Sequence, residues 1–313
     1  MTNNISQFKA KKGQLVWINI INAQKKELNY LKKKFKFNEL DLADSLAAKY
    51  AQRPKFFERS NYCFLILQFP VYSSKTREIV PEEIDFFIGR DYLITLHKNN
   101  LKPMIELANS CASDPFYCEQ YLDGTNASFL YEIISRLQEY CFPILDHISL
   151  DVERAEQNIF VGHERRMVTE ILYTKRNILN FRKIIEAHKS AIQHLAGEKT
   201  KFLNAEKMKI YYHDLIEHTK SIWEILQNQK ETIEALEDTN TSLLTFKLND
   251  IMRTLTIFSV VVFPLTLLAS IFGMNAVNGM PFINDPNGFW MVIGIMLCGA
   301  LIMFLFFKRK KWL

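Results

Sequence analysis

Two absences organise this chain of 313 residues. Between Pro143 and Pro264 there is no proline, and the only glycines are Gly162 and Gly197. Proline and glycine are the residues that interrupt helices. The interval therefore divides into three helices, expected over Ala127–Val161, His163–Ala196 and Phe202–Asn275. The second absence is charge. Thr254–Phe272 and Phe289–Phe307 are each 19 residues without a charged side chain. That is close to the roughly 20 residues a helix needs to cross a hydrocarbon core about 30 Å thick. From 254 to 307 the one charge is Asp285.

Further absences exclude whole classes of function. No GxxxxGK[ST] and no GxGxxG occurs, so the chain lacks the phosphate-binding loops of an ATP-driven pump, and an enzyme is not expected. The five cysteines, Cys63, Cys111, Cys118, Cys141 and Cys298, are odd in number and form no CxxC. This points to buried free thiols in a reducing compartment. His213 and His218 are five apart, not the four that put two zinc ligands on one helix face. A net charge of +5, without a basic stripe interleaved with stacking aromatics, argues against nucleic acid as a partner. Met1–Lys12 has no apolar core and does not read as a signal peptide.

What is present divides into three domains. Residues 1–125 read as an α/β domain. Strands are expected at Leu15–Ile20, Tyr62–Phe69, Ile84–Ile88 and Tyr92–His97, the last two joined at Gly89-Arg90-Asp91. Helices are expected at Gln24–Phe37 and Asn38–Tyr50, the second capped by Asn38. Residues 126–253 read as a long-helix stalk, and 254–313 as a membrane hairpin. A single helix of about 70 residues runs on the order of 100 Å, of which a bilayer covers about 30 Å. The remainder projects as a stalk whose apolar residues need a partner, so association of chains is expected. Two spans per chain also cannot enclose a polar path alone. The 273–288 connection has no Lys or Arg, whereas Lys247, Arg253 and Lys308, Arg309, Lys310 and Lys311 flank the spans. The positive-inside rule places both ends in the cytoplasm, and Trp290 and Trp312 suit the two interfaces.

The first span is two-faced. Asn249, Met252, Thr256, Ser259, Phe263, Thr266 and Ser270 recur every three or four residues and share one helix face. Ile257, Val261, Pro264 and Leu268 lie opposite. Small hydroxyls in lipid face either another helix or water, and spacing alone leaves both readings open. Below the span, Glu231, Asp238, Thr245 and Met252 are seven apart. Acids there would concentrate cations, although any solvated face shows the same charge heptad. Met252 and Leu255 would form an apolar collar able to gate by dewetting.

Several motifs then converge. Gly273-Met274-Asn275 follows a proline-containing span; a short loop, a second span and Lys310-Lys311-Trp312-Leu313 complete the C-terminus. Leu42-Ala43-Asp44-Ser45-Leu46 precedes Gln52-Arg53-Pro54-Lys55, and Asp214-Leu215-Ile216-Glu217-His218-Thr219 lies on the stalk. Together these resemble the CorA magnesium-transporter family over most of the chain. The resemblance implies an α+β, funnel-shaped homopentamer in the cell inner membrane. It implies a divalent-cation channel carrying Mg2+, with Co2+ and Ni2+ as further cargo and no organic cofactor. Gly273, Met274 and Asn275 would form the outer selectivity site. Asp44 of one subunit and Asp214 of its neighbour would form a regulatory Mg2+ site. Amide oxygens of Asn275 suit an ion that keeps its water, and Met274 is expected to pack behind the loop. Asp285 as the only loop charge, and Phe272 in place of the family's common tyrosine, are departures. A zinc transporter of the same architecture and a non-transporting coiled-coil scaffold are the competing readings.

Overall fold

The computed structural model describes residues 4–10, 15–46, 54–197, 202–203, 205–274, 281–282, 285–310 and 312. They divide into two compact units, Met1–Asp238 and Thr239–Leu313.

The first unit is built on a six-stranded sheet of β1 (Ile5–Lys9), β2 (Val16–Ile21), β3 (Lys55–Glu58), β4 (Cys63–Ser73), β5 (Glu78–Ile88) and β6 (Tyr92–His97), in the order β1-β2-β6-β5-β4-β3. All neighbours are antiparallel except β2 and β6. Alternate residues sort to opposite faces. Ile18, Ile20, Phe64, Ile66, Phe87, Ile94 and Leu96 form one core with Leu28 and Leu31 of α1 (Lys25–Phe35) and Leu42 of α2 (Glu39–Asp44). On the other face Trp17 meets Phe129 of α5 (Asn126–Glu139) at 5.3 Å. There Phe69 meets His188 of α7 (Glu164–Gly197) at 4.8 Å. Helices cover both faces, so Cys63–Phe69 reads as one apolar run broken only by Gln68.

Pro70 and Pro81 oppose each other in the β4–β5 ladder. Neither has an N–H, so this must be a non-hydrogen-bonded pair. The position lies past the residues that pair with β3 and β6, so the missing donors face no neighbouring strand.

Several boundaries differ from expectation. Asn38 caps α2, its Oδ1 accepting from the Leu40 amide at 2.9 Å. That helix ends at Asp44; residues 47–53, and with them Gln52 and Arg53, lie outside the described residues. Sequence reasoning missed β1, β3, and the two helices α3 (Lys102–Ser113) and α4 (Pro115–Leu122). The helix expected over Ala127–Val161 is two, α5 and α6 (Cys141–Phe160), parted at Tyr140. Pro143 explains the break. It has no N–H to return to the Glu139 carbonyl, and it is tolerated in the first turn of α6, where that donor is unused.

α8 (Ala205–Phe272) is one helix of 68 residues. Tyr212, Leu215, Thr219, Ile222, Leu226, Gln229, Ile233 and Leu236 are buried at alternating spacings of three and four, the seam of a helix bundle. Their partners come from the same chain. Tyr212 donates to the Ala127 carbonyl at 3.0 Å, and Gln138 donates to Leu215 O and Thr219 Oγ1 at 3.0 and 2.9 Å. Gln229 reaches Leu145 O and Ser149 Oγ on α6 at 3.0 and 2.7 Å. On α7, Lys175 pairs with Glu237 at 2.6 Å, and Arg182 lies 4.5 Å over the Trp223 ring. This corrects the expectation that the stalk needs other chains to cover its apolar residues: α5, α6 and α7 cover this segment.

The second unit contains the rest of α8 and α9 (Gly288–Arg309). These are the two described helices long and apolar enough to cross a membrane.

His188 ties α7 to the sheet. It is fully buried, its Nε2 donates to the Gln68 carbonyl, and burial pushes its pKa down to about 4 from 6.5. Above about 6.5 the ring is neutral in folded and unfolded chains alike; between 6.5 and 4 only the unfolded chain takes up the proton. Stability from this residue is therefore complete above that window and falls through it, by about 3 kcal/mol. Chemical denaturation of wild type and His188→Gln at pH 7 and pH 4.5 should show a steeper acid loss in the wild type. Equal slopes would refute the assignment.

Candidate cation path and divalent-ion sites

The polar stripe on α8 faces away from α9. Asn249, Met252, Leu255, Thr256, Phe263, Thr266 and Ser270 are exposed and Ser259 is half-buried. Ile257, Val261 and Leu268 of the opposite face, with Leu265 and Phe272, are half-covered, whereas Pro264 is exposed. On α9 the covered positions are Val292, Ile293, Met296, Gly299, Ala300, Met303 and Phe307, again one helical stripe. The two covered stripes mark the face the helices share. Within one chain the stripe threonines and Ser270 make no contact with the second span that would cover them.

The stripe's threonines are chemically polarised. Thr256 Oγ1 donates to Met252 O at 2.7 Å, and Thr266 Oγ1 to Val262 O at 2.9 Å. Each hydroxyl proton is thus used within the helix, leaving oxygen lone pairs to face outward. An array of acceptors suits water molecules whose protons point away from a cation.

α8 ends in a tight turn. Gly273 N donates to Ala269 O at 2.9 Å, and Met274 N to Ile271 O at 3.2 Å. A Cβ on residue 273 would lie 3.1 Å from the Ala269 carbonyl oxygen, closer than side chains ordinarily come. Met274 is 57% exposed, so within one chain it is not packed behind the loop as expected. Asn275, Asn278 and Asn284 lie outside the described residues. The start of α9 carries a constraint that sequence reasoning missed. A Cβ on Gly288 would sit 1.9 Å from the Phe282 carbonyl oxygen. Phe282 itself has φ 70°, and Gly288 N donates to Asp285 O at 3.0 Å. The Pro286-Asn287-Gly288 string is the turn signal that held this information.

In the first unit, Asp44 closes α2 and pairs with Lys55 at 2.5 Å. The helix is anchored beside it by Asp41, which is buried and accepts from Arg59 Nε and Nη2 at 3.0 and 2.6 Å and from Tyr62 Oη at 2.6 Å. A second acid, Asp85 on β5, is buried with Oδ1 unpartnered. Burial first, then the neighbouring Glu83, hold its carboxyl well above the usual range; Ser45 opposes this, and Asp44 adds to it. A lone acid in Ile84-Asp85-Phe86 was the available signal. Asp214 on α8 accepts from Tyr131 Oη at 3.0 Å and lies 3.8 Å from His218 Nε2. In one chain Asp44 and Asp214 thus engage different partners, and among the described residues no three His, Cys, Asp or Glu side chains converge as a metal site. Glu231 and Asp238 are exposed on the face of α8 opposite the buried seam, and Glu231 accepts from Gln227 Nε2 at 2.5 Å.

Comparison with known proteins covers nearly the whole chain. The family model described as CorA-like Mg2+ transporter protein matches residues 12–309. A cobalt/magnesium transport protein CorA from Thermotoga maritima is 25% identical over 299 residues, 95% of this chain and 83% of the relative. The complete structure of the CorA magnesium transporter from Methanocaldococcus jannaschii superimposes with a TM-score of 0.82 at 22% identity, covering 96% of this chain and 92% of that one. A ZntB cytoplasmic domain from Vibrio parahaemolyticus also matches, with a TM-score of 0.62 at 13% identity over 77% of this chain and 98% of that one. The two structural likenesses speak for the fold alone.

Gly288→Ala should lower the thermal midpoint, by an amount equivalent to about 2 kcal/mol, because the Phe282 carbonyl must move. Gly294→Ala, which meets open space in the chain, should leave the midpoint in place. Equal midpoints for the two variants would contradict the crowding at Gly288.

Proposed function

The chain belongs to the CorA-like Mg2+ transporter family, and we propose that it forms a homopentameric channel for Mg2+, with Co2+ and Ni2+ as secondary cargo. The observation that carries this reading is the acceptor-lined stripe of α8. It turns away from α9 and leads directly into Gly273 and Met274. Five copies of the stripe enclose a conduit through which a hydrated ion passes. Asn275 amide oxygens at its outer end accept hydrogen bonds from the ion's waters, so Mg2+, which dehydrates reluctantly, needs no stripping. Met252 and Leu255 form the apolar collar. The spans lie in the cell inner membrane with both termini cytoplasmic, as the flanking lysines and arginines favour. Influx is driven by the membrane potential, about 4.6 kcal/mol per 100 mV for a doubly charged ion.

Cytoplasmic Mg2+ closes the channel. Asp44 of one subunit and Asp214 of the next bind the ion and hold the assembly symmetric; its loss lets their charges repel and the subunits splay. This is a shift between two states with different affinity for one ligand. The Lys55–Asp44 pair is what the ion must displace.

Two experiments test the reading. In proteoliposomes, Asn275→Ala should lose the preference for Mg2+ over Ca2+ while the protein still assembles; unchanged selectivity would remove Asn275 from the filter. Mg2+ protection of the full chain against proteolysis should weaken about tenfold or more in Asp214→Ala and strengthen in Lys55→Met, since one loses a ligand and the other a competitor. Identical protection curves for all three proteins would eliminate the sensor.

A further inference from the structure

A cavity of about 310 Å3 lies between α7 and α8, within the first unit. α7 lines it with Ile185, Glu186 and Lys189, and α8 with Ile216, Thr219, Lys220 and Trp223. Each set falls on one face of its helix. Asp214 is nine residues from Trp223, about 180° round the helix, so this face is not the one the proposed cation sensor uses. The floor is apolar: Ile185 is buried and Ile216 half-buried. The Thr219 hydroxyl is already committed, donating to Leu215 O at 2.8 Å and accepting from Gln138 Nε2 at 2.9 Å. What remains for a ligand is an indole and three charges. Glu186, Lys189 and Lys220 are exposed, with one ammonium from each helix. Trp223 is half-buried and held from one side, where the Arg182 guanidinium lies 4.5 Å over its ring. Arg182 Nε is itself buried without a hydrogen-bond partner. Nearby acids leave these cations available. Lys220 is 4.0 Å from Glu224, both side chains 63% and 62% exposed, so that pair is loose. Glu234 already pairs with Lys230 at 2.9 Å.

The groups present select a ligand by their chemistry. An indole on an apolar floor suits a planar aromatic ring. An ionised carboxylate only accepts hydrogen bonds, so Glu186 suits an exocyclic amine on that ring. Two ammonium groups with a guanidinium behind them suit a phosphate. Small-molecule sites run from roughly 300 to 1,000 Å3, and this cavity is at the lower end, with room for one nucleotide and not for a dinucleotide. A fatty acid would satisfy the lysines but leave Glu186 against an acyl chain. We propose that the cavity binds a nucleoside monophosphate whose base carries an exocyclic amine. The ring packs against Trp223, the amine donates to Glu186, and the phosphate sits between Lys189 and Lys220. Bound there, the nucleotide ties α7 to the long helix through a charge on each. The site draws nothing from the cation path, so either can fail alone.

The test uses the full chain in detergent, in buffer free of divalent ions, so that no metal bridges a phosphate to the acids elsewhere on α8. AMP, adenosine and inorganic phosphate are titrated calorimetrically. AMP should bind, with adenosine and phosphate each weaker by about tenfold or more, since each keeps only part of the contacts. Trp223→Ala should lower AMP affinity about tenfold. Lys189→Glu and Lys220→Glu should each do the same; both positions are exposed, so these variants carry the test should the tryptophan variant fold poorly. Lys183→Glu, exposed on α7 but outside the cavity, should keep AMP affinity within about twofold. Absence of AMP binding to the wild type overturns the site. Unchanged AMP affinity in both cavity-lysine variants overturns it too. Phosphate binding as tightly as AMP marks an anion patch without a ring pocket and overturns the nucleotide.

Discussion

The buried seam of α8 sets the terms for everything around it. From Tyr212 to Leu236 one side chain in every three or four is removed from water by α5, α6 and α7. Each large apolar member contributes on the order of 2 kcal/mol. That packing fixes the helix in rotation, and rotation is what assigns residues to faces. With Leu226, Ile233 and Leu236 committed inward, Glu231 and Asp238 have to point outward. The second unit differs in that both of its helices expose large apolar side chains such as Leu255, Phe258, Phe263, Leu297 and Leu301. Lipid covers such a surface without cost, but the hydroxyls among them need water or a polar neighbour.

Helix geometry also limits how far one stripe extends. A straight α-helix drifts about 20° per heptad. Over the two heptads from Thr256 to Ser270 the drift is about 40°, and the stripe stays on one face. Over the six heptads from Glu231 to Gly273 it reaches about 120°. A straight helix therefore does not keep the two acids and Gly273 on one line; the proposed assembly would need its α8 copies to supercoil for that. Within the stripe, Met252 and Phe263 separate the oxygen-bearing positions. On the proposed path, alternating weak acceptors with apolar levels would keep any one level from binding the ion tightly, a condition for throughput.

Much of the fold was legible in the sequence, for identifiable reasons. The scarcity of proline and glycine gave α7 and α8 closely, and Pro264, the one proline inside α8, lies in the apolar span, where a proline is better tolerated. The β5–β6 hairpin followed from Gly89-Arg90-Asp91, and Gly89 N does bond to Tyr92 O at 3.0 Å. What failed was short or dependent on distant partners. β3 is four residues and exists only by pairing with β4; β1 exists only by pairing with β2. The first half of β5 carries Glu78, Pro81, Glu82 and Glu83, which locally disfavour a strand, and it is held from α7 by Asn177 and Asn180 at 2.9 to 3.1 Å. At the candidate sites, spacing identified the stripe but not which side α9 would take. Sequence could not reveal that Asp44 already has a cation beside it, that Asp85 lies buried near it, or that Tyr131 orients Asp214.

The Lys55–Asp44 pair gives a scale for the sensor proposed above. Its side chains are 27% and 31% exposed, so solvent screens the attraction and the pair is worth no more than about 1 kcal/mol. Displacing it therefore weakens a competing ion by a factor of about 5. A doubly charged ion between two carboxylates gains more than a single ammonium does, so Lys55 would lower the affinity of the proposed site without blocking it. The nearby Asp85 works in the same direction. Burial holds its carboxyl well above the usual range, so it favours the neutral acid and adds little negative charge near Asp44. A site so flanked by one removable lysine and one suppressed acid would, on the proposed reading, be tuned towards weak binding. Weak binding is what a detector needs if it is to empty when the ion becomes scarce.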